Sequence, residues 1–340
     1  MNGRTIALDH LEGQEAAALL VNGKLQDILI DTADVPRPGA VLRGICDRPL
    51  KGQGGMMLRL PDGETGFLRQ GKGLKPGQPL LVQVTGYAED GKAVPVTDRV
   101  LFKSRYAIIT PGKPGLNVSR QITDEPSRDR ILEAAHDAYE GSHGVILRSS
   151  CEAAEIDDII DDLIAMSDLA DAVLADAEGQ MPEALTDGDG PHLLAWREWT
   201  APAEVVTEEG CFEHLGVLDQ LEHLSNPEIR LSDGSMFVER TRAMVTVDVN
   251  TGKDTSPAAA LKANLAASRA LPRALRLRGL GGQIAVDFVS MSKAHRKQVE
   301  QSLRAAFKAD PIETSLVGWT QMGLFEIQRK RERLPLKGLH

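Results

Sequence analysis

Short apolar runs punctuated by turn residues fill the first hundred positions. Arg4–Asp9, Glu15–Val21 and Leu25–Ile30 read as strands, and Asn22-Gly23 between the last two predicts a hairpin turn. Pro36-Arg-Pro-Gly39 breaks the pattern. From Val41 to about Asp98, strands such as Gly55–Leu60, Thr65–Leu68 and Pro79–Thr85 are divided by Asp62-Gly63, Lys75-Pro-Gly77 and Asp90-Gly91. Short strands spaced this closely predict a small barrel of the oligonucleotide-binding (OB) type, with a β-hairpin subdomain that binds nothing as the plainer alternative.

The pattern then changes. Arg105–Thr110 and Gly144–Ser149 read as strands. Thr123-Asp-Glu-Pro-Ser127 reads as a helix start, with a helical period over 128–139. Helices are expected around 151–176, a Gly-, Asp- and Pro-rich loop over 177–191, a strand within Trp196–Val206 and a helix over Gly216–Leu224. Ala243-Met-Val-Thr-Val-Asp248 and Gln283-Ile-Ala-Val-Asp287 are apolar strands that run into aspartates, as strands buried on both faces of a parallel sheet do. A helix over 257–278 and a Gly-Leu-Gly-Gly turn separate them, which is the grammar of a βαβ unit. Pro272 is expected to kink that helix or restart it. The last strand, Leu324–Arg331, leaves a basic terminus.

Composition narrows the class. A chain of 340 residues with 42% hydrophobic content is globular and holds two or three domains. The formal charge of -10 argues against nonspecific duplex binding without excluding a local basic groove, and 4% aromatic content leaves few stacking platforms. Cys46, Cys151 and Cys211 are far apart and form no CxxC, so neither a disulfide framework nor a structural zinc site is implied. With no signal-length or membrane-spanning apolar run, a cytoplasmic location is expected.

The chemistry points to the two strand-end aspartates. Neighbouring parallel strands place Asp248 and Asp287 side by side, and paired carboxylates hold a divalent metal such as Mg²⁺. Asn250 adds an amide. A metal there orients and acidifies a water and neutralises a phosphoryl oxygen, with no need for a histidine base or a cysteine nucleophile. The plainer reading is that such aspartates cap loops or helix starts. Arg273, Arg276 and Arg278 close the crossover helix. Arg276 and Arg278 cannot share one helix face, so at least one is expected to face solvent or substrate.

Several motifs in one order carry a resemblance. They are Val247-Asp248-Val-Asn-Thr-Gly252, Asn264-Leu-Ala-Ala267, Leu275-Arg-Leu-Arg-Gly-Leu-Gly-Gly282, Ile284-Ala-Val-Asp-Phe288 with Met291, and Gly323-Leu-Phe-Glu-Ile-Gln-Arg-Lys-Arg331. Together they resemble the ribonuclease E/G family, densely over 233–333 and recognisably back to the first residues. The resemblance implies an α/β multidomain fold: a split ribonuclease-H-like domain (1–37 and 171–225), an inserted S1 domain of OB fold (38–98), a 5′-sensor domain (99–170), a deoxyribonuclease-I-like catalytic domain (226–333) and a tail (334–340). It implies endonucleolytic cutting of single-stranded RNA with Mg²⁺ or Mn²⁺, in RNA processing or turnover, leaving 5′-phosphate and 3′-hydroxyl ends. By resemblance Asp248 and Asp287 are the metal-binding aspartates and Asn250 orients the scissile phosphate. Arg278 contacts substrate, Arg148 grips a 5′-monophosphate, and Ser149 stands where threonine is usual.

Departures from the family pattern matter too. Phe67 matches an S1 stacking aromatic and Lys92 an S1 lysine, but Met56 stands in the place of a companion aromatic. After Asp310, Pro311-Ile-Glu-Thr314 replaces the usual basic residues. The paired-cysteine motif that shares a zinc between subunits is absent, so no zinc and a monomer or zinc-independent homodimer are expected, with an apolar surface around Leu324–Ile327 as a contact or simply as core. An RNA-binding or regulatory relative with little catalysis is the alternative reading.

Overall fold

The computed structural model describes residues 3–336 except 33, 34, 51, 53 and 90, so parts of the expected tail and of the Asp90-Gly91 turn lie outside the described residues. The chain divides into two compact units, Met1–Asp31 with Pro202–His340, and Thr32–Ala201.

The first unit opens with an antiparallel meander of β1 (Arg4–Leu11), β2 (Gln14–Val21) and β3 (Lys24–Ile30). Asn22 and Gly23 take φ of 50° and 74°, the left-handed pair that a two-residue hairpin turn requires.

The second unit begins with β4 (Val41–Leu50), β5 (Gly55–Arg59), β6 (Thr65–Leu68), β7 (Pro79–Val84) and β8 (Val94–Thr97). Their order is β4-β5-β6-β8-β7, and pairing of β4 with β7 closes them into the expected small barrel. Leu42, Cys46, Met56, Leu58 and Val82 fill its interior. Next come β9 (Phe102–Lys103), β10 (Ala107–Thr110), β11 (Gly115–Val118), α1 (Glu125–Ala138), β12 (Gly144–Leu147) and α2 (Ile156–Ala175). The sheet β11-β12-β10-β9 shares a core with both helices through Ile109, Ile131, Val145, Leu147 and Leu163. Asp124 caps α1, accepting from the Ser127 amide at 2.9 Å. The stretch expected as loop carries β13 (Glu183–Thr186), which adds to β4 of the barrel sheet, a pairing that local sequence does not signal. The strand expected within Trp196–Val206 begins late. Pro191 opens α3 (Pro191–Glu198), which takes Trp196 into a helix.

Only β14 (Glu204–Val206) is extended there, and it lies parallel to β1 in the first unit. Short helices α4 (Cys211–His214) and α5 (Val217–His223) follow. The remainder is β15 (Glu228–Leu231), β16 (Gly234–Arg240), β17 (Val245–Asn250), α6 (Pro257–Leu277), β18 (Gly282–Asp287), α7 (Lys293–Lys308), β19 (Thr314–Trp319) and β20 (Phe325–Arg329). These strands make one mixed sheet, β15-β16-β17-β18-β20-β19, in which β17 and β18 are the parallel pair and α6 their crossover.

Several expectations fail here for physical reasons. β17 and β18 are not buried on both faces. Val245, Val247 and Val249, with Ile284 and Val286, pack on the helix side, while Asp248, Asn250, Gln283 and Asp287 are exposed on the other. A sheet that is antiparallel everywhere else needs only one covered face, and its strands alternate accordingly. Nor does Pro272 restart α6. Ser256 caps the helix, and eleven of its residues, Pro272 included, are buried, so tertiary packing carries it past one missing hydrogen bond. Phe325 and Ile327 are core on an interior strand, which resolves the Leu324–Ile327 alternative in favour of core.

The helix-end arginines also turn inward. Arg273 donates to the Leu25 carbonyl at 2.9 Å, and Arg276 donates to the Gln26 carbonyl at 2.7 Å and pairs with Asp27 and Asp310. Arg278, the C-cap residue, is 3% exposed. A helix covered on one side would leave one of these arginines outside, but α6 packs against both the large sheet and β3. The Asp310 side chain, 1% exposed, lies between Arg276 and Arg329, with Arg329 at 2.7 Å. Replacing Asp310 with alanine leaves buried Arg329 with no carboxylate, only the Thr314 hydroxyl at 2.8 Å, and leaves Arg276 to Asp27 and the Gln26 carbonyl, so we expect a loss of about 3–5 kcal/mol in urea unfolding. A loss below about 1 kcal/mol would show that the network contributes little.

Candidate active site

The register of three strands builds the site. Asp248 and Asp287 are direct partners in the parallel pairing of β17 and β18, on strands about 4.8 Å apart and on the same exposed face. Two residues along β17, the Asn250 amide donates to Asp248 Oδ2 at 2.7 Å, which orients that carboxylate. On the other side, Phe237 of β16 is the direct partner of Asp248.

The backbone after Asp287 is held from behind. Asn264 of α6 is fully buried and spans Val289, accepting its amide at 3.0 Å and donating to its carbonyl at 2.8 Å. The same Asn264 amide reaches Met291 Sδ at 3.7 Å. This explains part of the Asn264–Ala267 motif physically: a buried amide whose polar groups are satisfied on the strand-end loop it fixes. Just past Asn250 in the chain, a hollow of about 260 Å³ is lined by Asp233, Thr251, Lys253, Asp254 and Lys262 among others. Lys253, Lys262 and Phe237 belong to no motif in the sequence, and Phe237 reaches the site through strand register.

Arg278 does not join this group. It precedes β18, whose six residues separate it by roughly 17 Å of strand from the Asp287 end. Its guanidinium donates to the carbonyls of Asn226 at 2.9 Å and Ala274 at 3.4 Å. Burial, then the charge of Arg273, pushes it down to about 10, still charged at neutral pH.

In the second unit, Arg148 follows β12 and Ser149 opens the short helical turn behind it. Arg148 donates to the Ser104 carbonyl at 2.6 Å and to Glu198 at 2.6 Å, so the cation is already engaged. Glu198 also pairs with Arg197 at 2.7 Å. Burial disfavours its charge, but Arg197 and Arg148 more than offset this and hold the carboxyl below the usual range. Arg105 stacks over Tyr106 and the half-exposed Trp196 nearby. In the barrel, Phe67 is partly exposed and covers Gly55 so closely that a Cβ there would collide with its ring. Lys92 is exposed and pairs with Glu89 at 2.6 Å. Met56 is fully buried, so the barrel keeps it as core and presents no second stacking group there.

The donor set at Asp248 and Asp287 is two carboxylates and an amide, the hard oxygen ligands that Mg²⁺ and Mn²⁺ prefer. Among the described residues, no three His, Cys, Asp or Glu side chains gather to hold a metal, so any ion here keeps much of its water. No helix among the described residues is long and apolar enough to cross a membrane.

Sequence comparison defines the class. A model of the ribonuclease E/G family matches residues 102–203 and 196–332. Ribonuclease G of Salmonella typhimurium is 28% identical over an alignment of 302 positions, covering 76% of this chain and 61% of the relative. Ribonuclease G of Haemophilus influenzae is likewise 28% identical, covering 78% and 62%. Ribonuclease E of a Nostoc species is 24% identical over an alignment of 378 positions, covering 94% and 55%. The chain therefore belongs to the ribonuclease E/G family. It spans less than two thirds of the length of these relatives.

The cysteines supply no nucleophile. All are buried, and burial pushes the Cys151 thiol up to about 12 and, with the Asp9 charge adding, Cys211 to about 11. At pH 8 the folded protein is expected to resist iodoacetamide at both positions and to be labelled only after unfolding, as read by mass spectrometry. Labelling of folded Cys151 within minutes would show that its enclosure opens readily.

Proposed function

We propose that this chain is a metal-dependent endoribonuclease acting on single-stranded RNA, and that Asp248, Asp287 and Asn250 are its catalytic group. The observation that carries the reading is the Asp248–Asp287 register pair on an open sheet face, inside the region matched by the family model. Asp248 and Asp287 would hold the ion, which supplies charge neutralisation at the phosphoryl group when bound. Asn250 holds one carboxylate oxygen in place. Water adds to phosphorus as the bond to the 3′ oxygen breaks, and that oxygen takes up a proton. The products are a 5′-phosphate and a 3′-hydroxyl.

The same reading assigns the parts. Residues 1–37 with 171–225 are ribonuclease-H-like, 38–98 the S1 domain, 99–170 the 5′ sensor and 226–333 a deoxyribonuclease-I-like catalytic domain. Phe67 and Lys92 take RNA in the barrel, while Met56 serves as barrel core. Arg278 enters as an anchor behind the catalytic sheet. A cytoplasmic monomer or zinc-independent homodimer completes the proposal. A non-catalytic RNA binder is the second reading, favoured by the buried Met56, which leaves the barrel one stacking group short.

Asp248→Asn or Asp287→Asn is expected to lower cleavage of a 5′-labelled unstructured RNA by at least about 10³-fold with an unchanged unfolding midpoint. Undiminished cutting by either variant would end the catalytic assignment. A stable, uncut complex formed by the wild type with Mg²⁺ would favour the binder.

Arg148 is proposed to grip a 5′-monophosphate, with Ser149 completing the pocket. Because Glu198 already occupies the Arg148 fork, a phosphate must displace a carboxylate. Wild type is therefore expected to favour 5′-monophosphorylated over 5′-hydroxyl RNA only modestly. Arg148→Ala should erase the preference, and Glu198→Gln should widen it by about fivefold. Equal rates on both RNAs in wild type and in Glu198→Gln would remove the sensor without touching the catalytic assignment.

A further inference from the structure

Phe237 is the anomaly of the catalytic sheet. Along β16, Met236 and Val238 enter the core at 0% and 4% exposure, so the intervening positions Ser235, Phe237 and Glu239 belong to the opposite face. Two of these are polar, as an open face requires, and the third is a phenylalanine. It belongs to none of the hydrophobic cores of the described residues and remains partly exposed.

Its ladder neighbours are not apolar either, beginning with Glu228 of β15 on one side. Directly across the ladder lies Asp248, and the next strand contributes Asp287 in the same row. The flanking rows hold Ser235 with Asn250, and Glu239 with Thr246, Ala285 and Glu326. An aromatic ring with polar groups around it and no core to join is a poor stabiliser of the fold. It is well suited to an apolar, flat ligand group arriving beside a negative charge, because every nucleobase has a π-face and stacking is tolerant of sequence. Directly opposed residues of an antiparallel pair have Cβ atoms roughly 5 Å apart, so the ring stands one strand from the carboxylate.

We propose that Phe237 is a substrate-binding residue that stacks on the base next to the scissile phosphate and holds unpaired RNA across the row Phe237–Asp248–Asp287. This inference rests on the catalytic assignment of Asp248 and Asp287. It also gives single-strand selectivity a local cause: in a duplex both faces of each base are already stacked, and the ring has nothing to receive.

The test pairs a protein change with a substrate change. Phe237→Ala is expected to lower kcat/KM on a short fluorescent single-stranded RNA by about tenfold, and Phe237→Tyr to restore most of it. Removing the base next to the cut site should cost the wild type a similar factor and cost Phe237→Ala almost nothing further, because both changes delete one contact. Phe237 lies outside the core, so the thermal unfolding midpoint of the alanine variant should match the wild type. If the abasic substrate costs Phe237→Ala as much as it costs the wild type, the stacking partner is elsewhere and the proposal is overturned. Wild-type kinetics in Phe237→Ala overturn it equally. If instead Asp248→Asn still cuts, the catalytic assignment fails, which a result on Phe237 alone cannot produce.

Discussion

Asp310 is the buried charge on which the first unit turns. Its carboxylate receives Arg276 from the end of α6 and Arg329 from the end of β20, and Arg276 reaches on to Asp27 of β3. The crossover helix, the large sheet and the amino-terminal meander thus share one ion network. Charges removed from water cost several kcal/mol each unless paired, so these elements are favoured only in the arrangement that satisfies all of them. The network sits at the end of α6 that leads into β18. Fixing that end helps to fix where β18 begins and hence which residue of it stands opposite Asp248.

The Asp248–Asp287 row follows from that register. A one-residue slip of β18 would carry Asp287 to the covered face and expose Val286 in its place. The covered face excludes the slip, because Ile284 and Val286 are core residues beneath α6 and α7. Apolar packing on one face thereby sets the spacing of carboxylates on the other. Asn264 completes the arrangement from the helix, using its buried amide to hold Val289 just past the strand. The two carboxylates stay solvated while Asn264 and the apolar residues behind their strands are enclosed.

The second unit applies a different logic to charge. Arg148 stands between a backbone carbonyl and Glu198, and Glu198 stands between Arg148 and Arg197. The cluster is paired before any ligand arrives. An anion entering it exchanges one carboxylate for another charged group, so its net gain is smaller than the bare presence of an arginine implies.

Much was legible in the sequence because it depends on short-range pattern. The Asn22-Gly23 hairpin, the barrel strands, the Asp124 start of α1 and the β17–α6–β18 unit all follow from turn chemistry and periodicity. So did the pairing of Asp248 with Asp287, since a crossover helix makes its two strands neighbours. Side-chain direction was not legible where an element meets more than one neighbour. Arg276 and Arg278 both turn inward because α6 has two partners, and Met56 is core because the barrel closes over it. Strand β13, the burial of one sheet face only, and the place of Phe237 beside Asp248 were likewise settled by long-range pairing. Local sequence determines which element forms and which residues share its faces. Only the tertiary structure decided what each face meets, because burial and register are properties of packed surfaces rather than of segments.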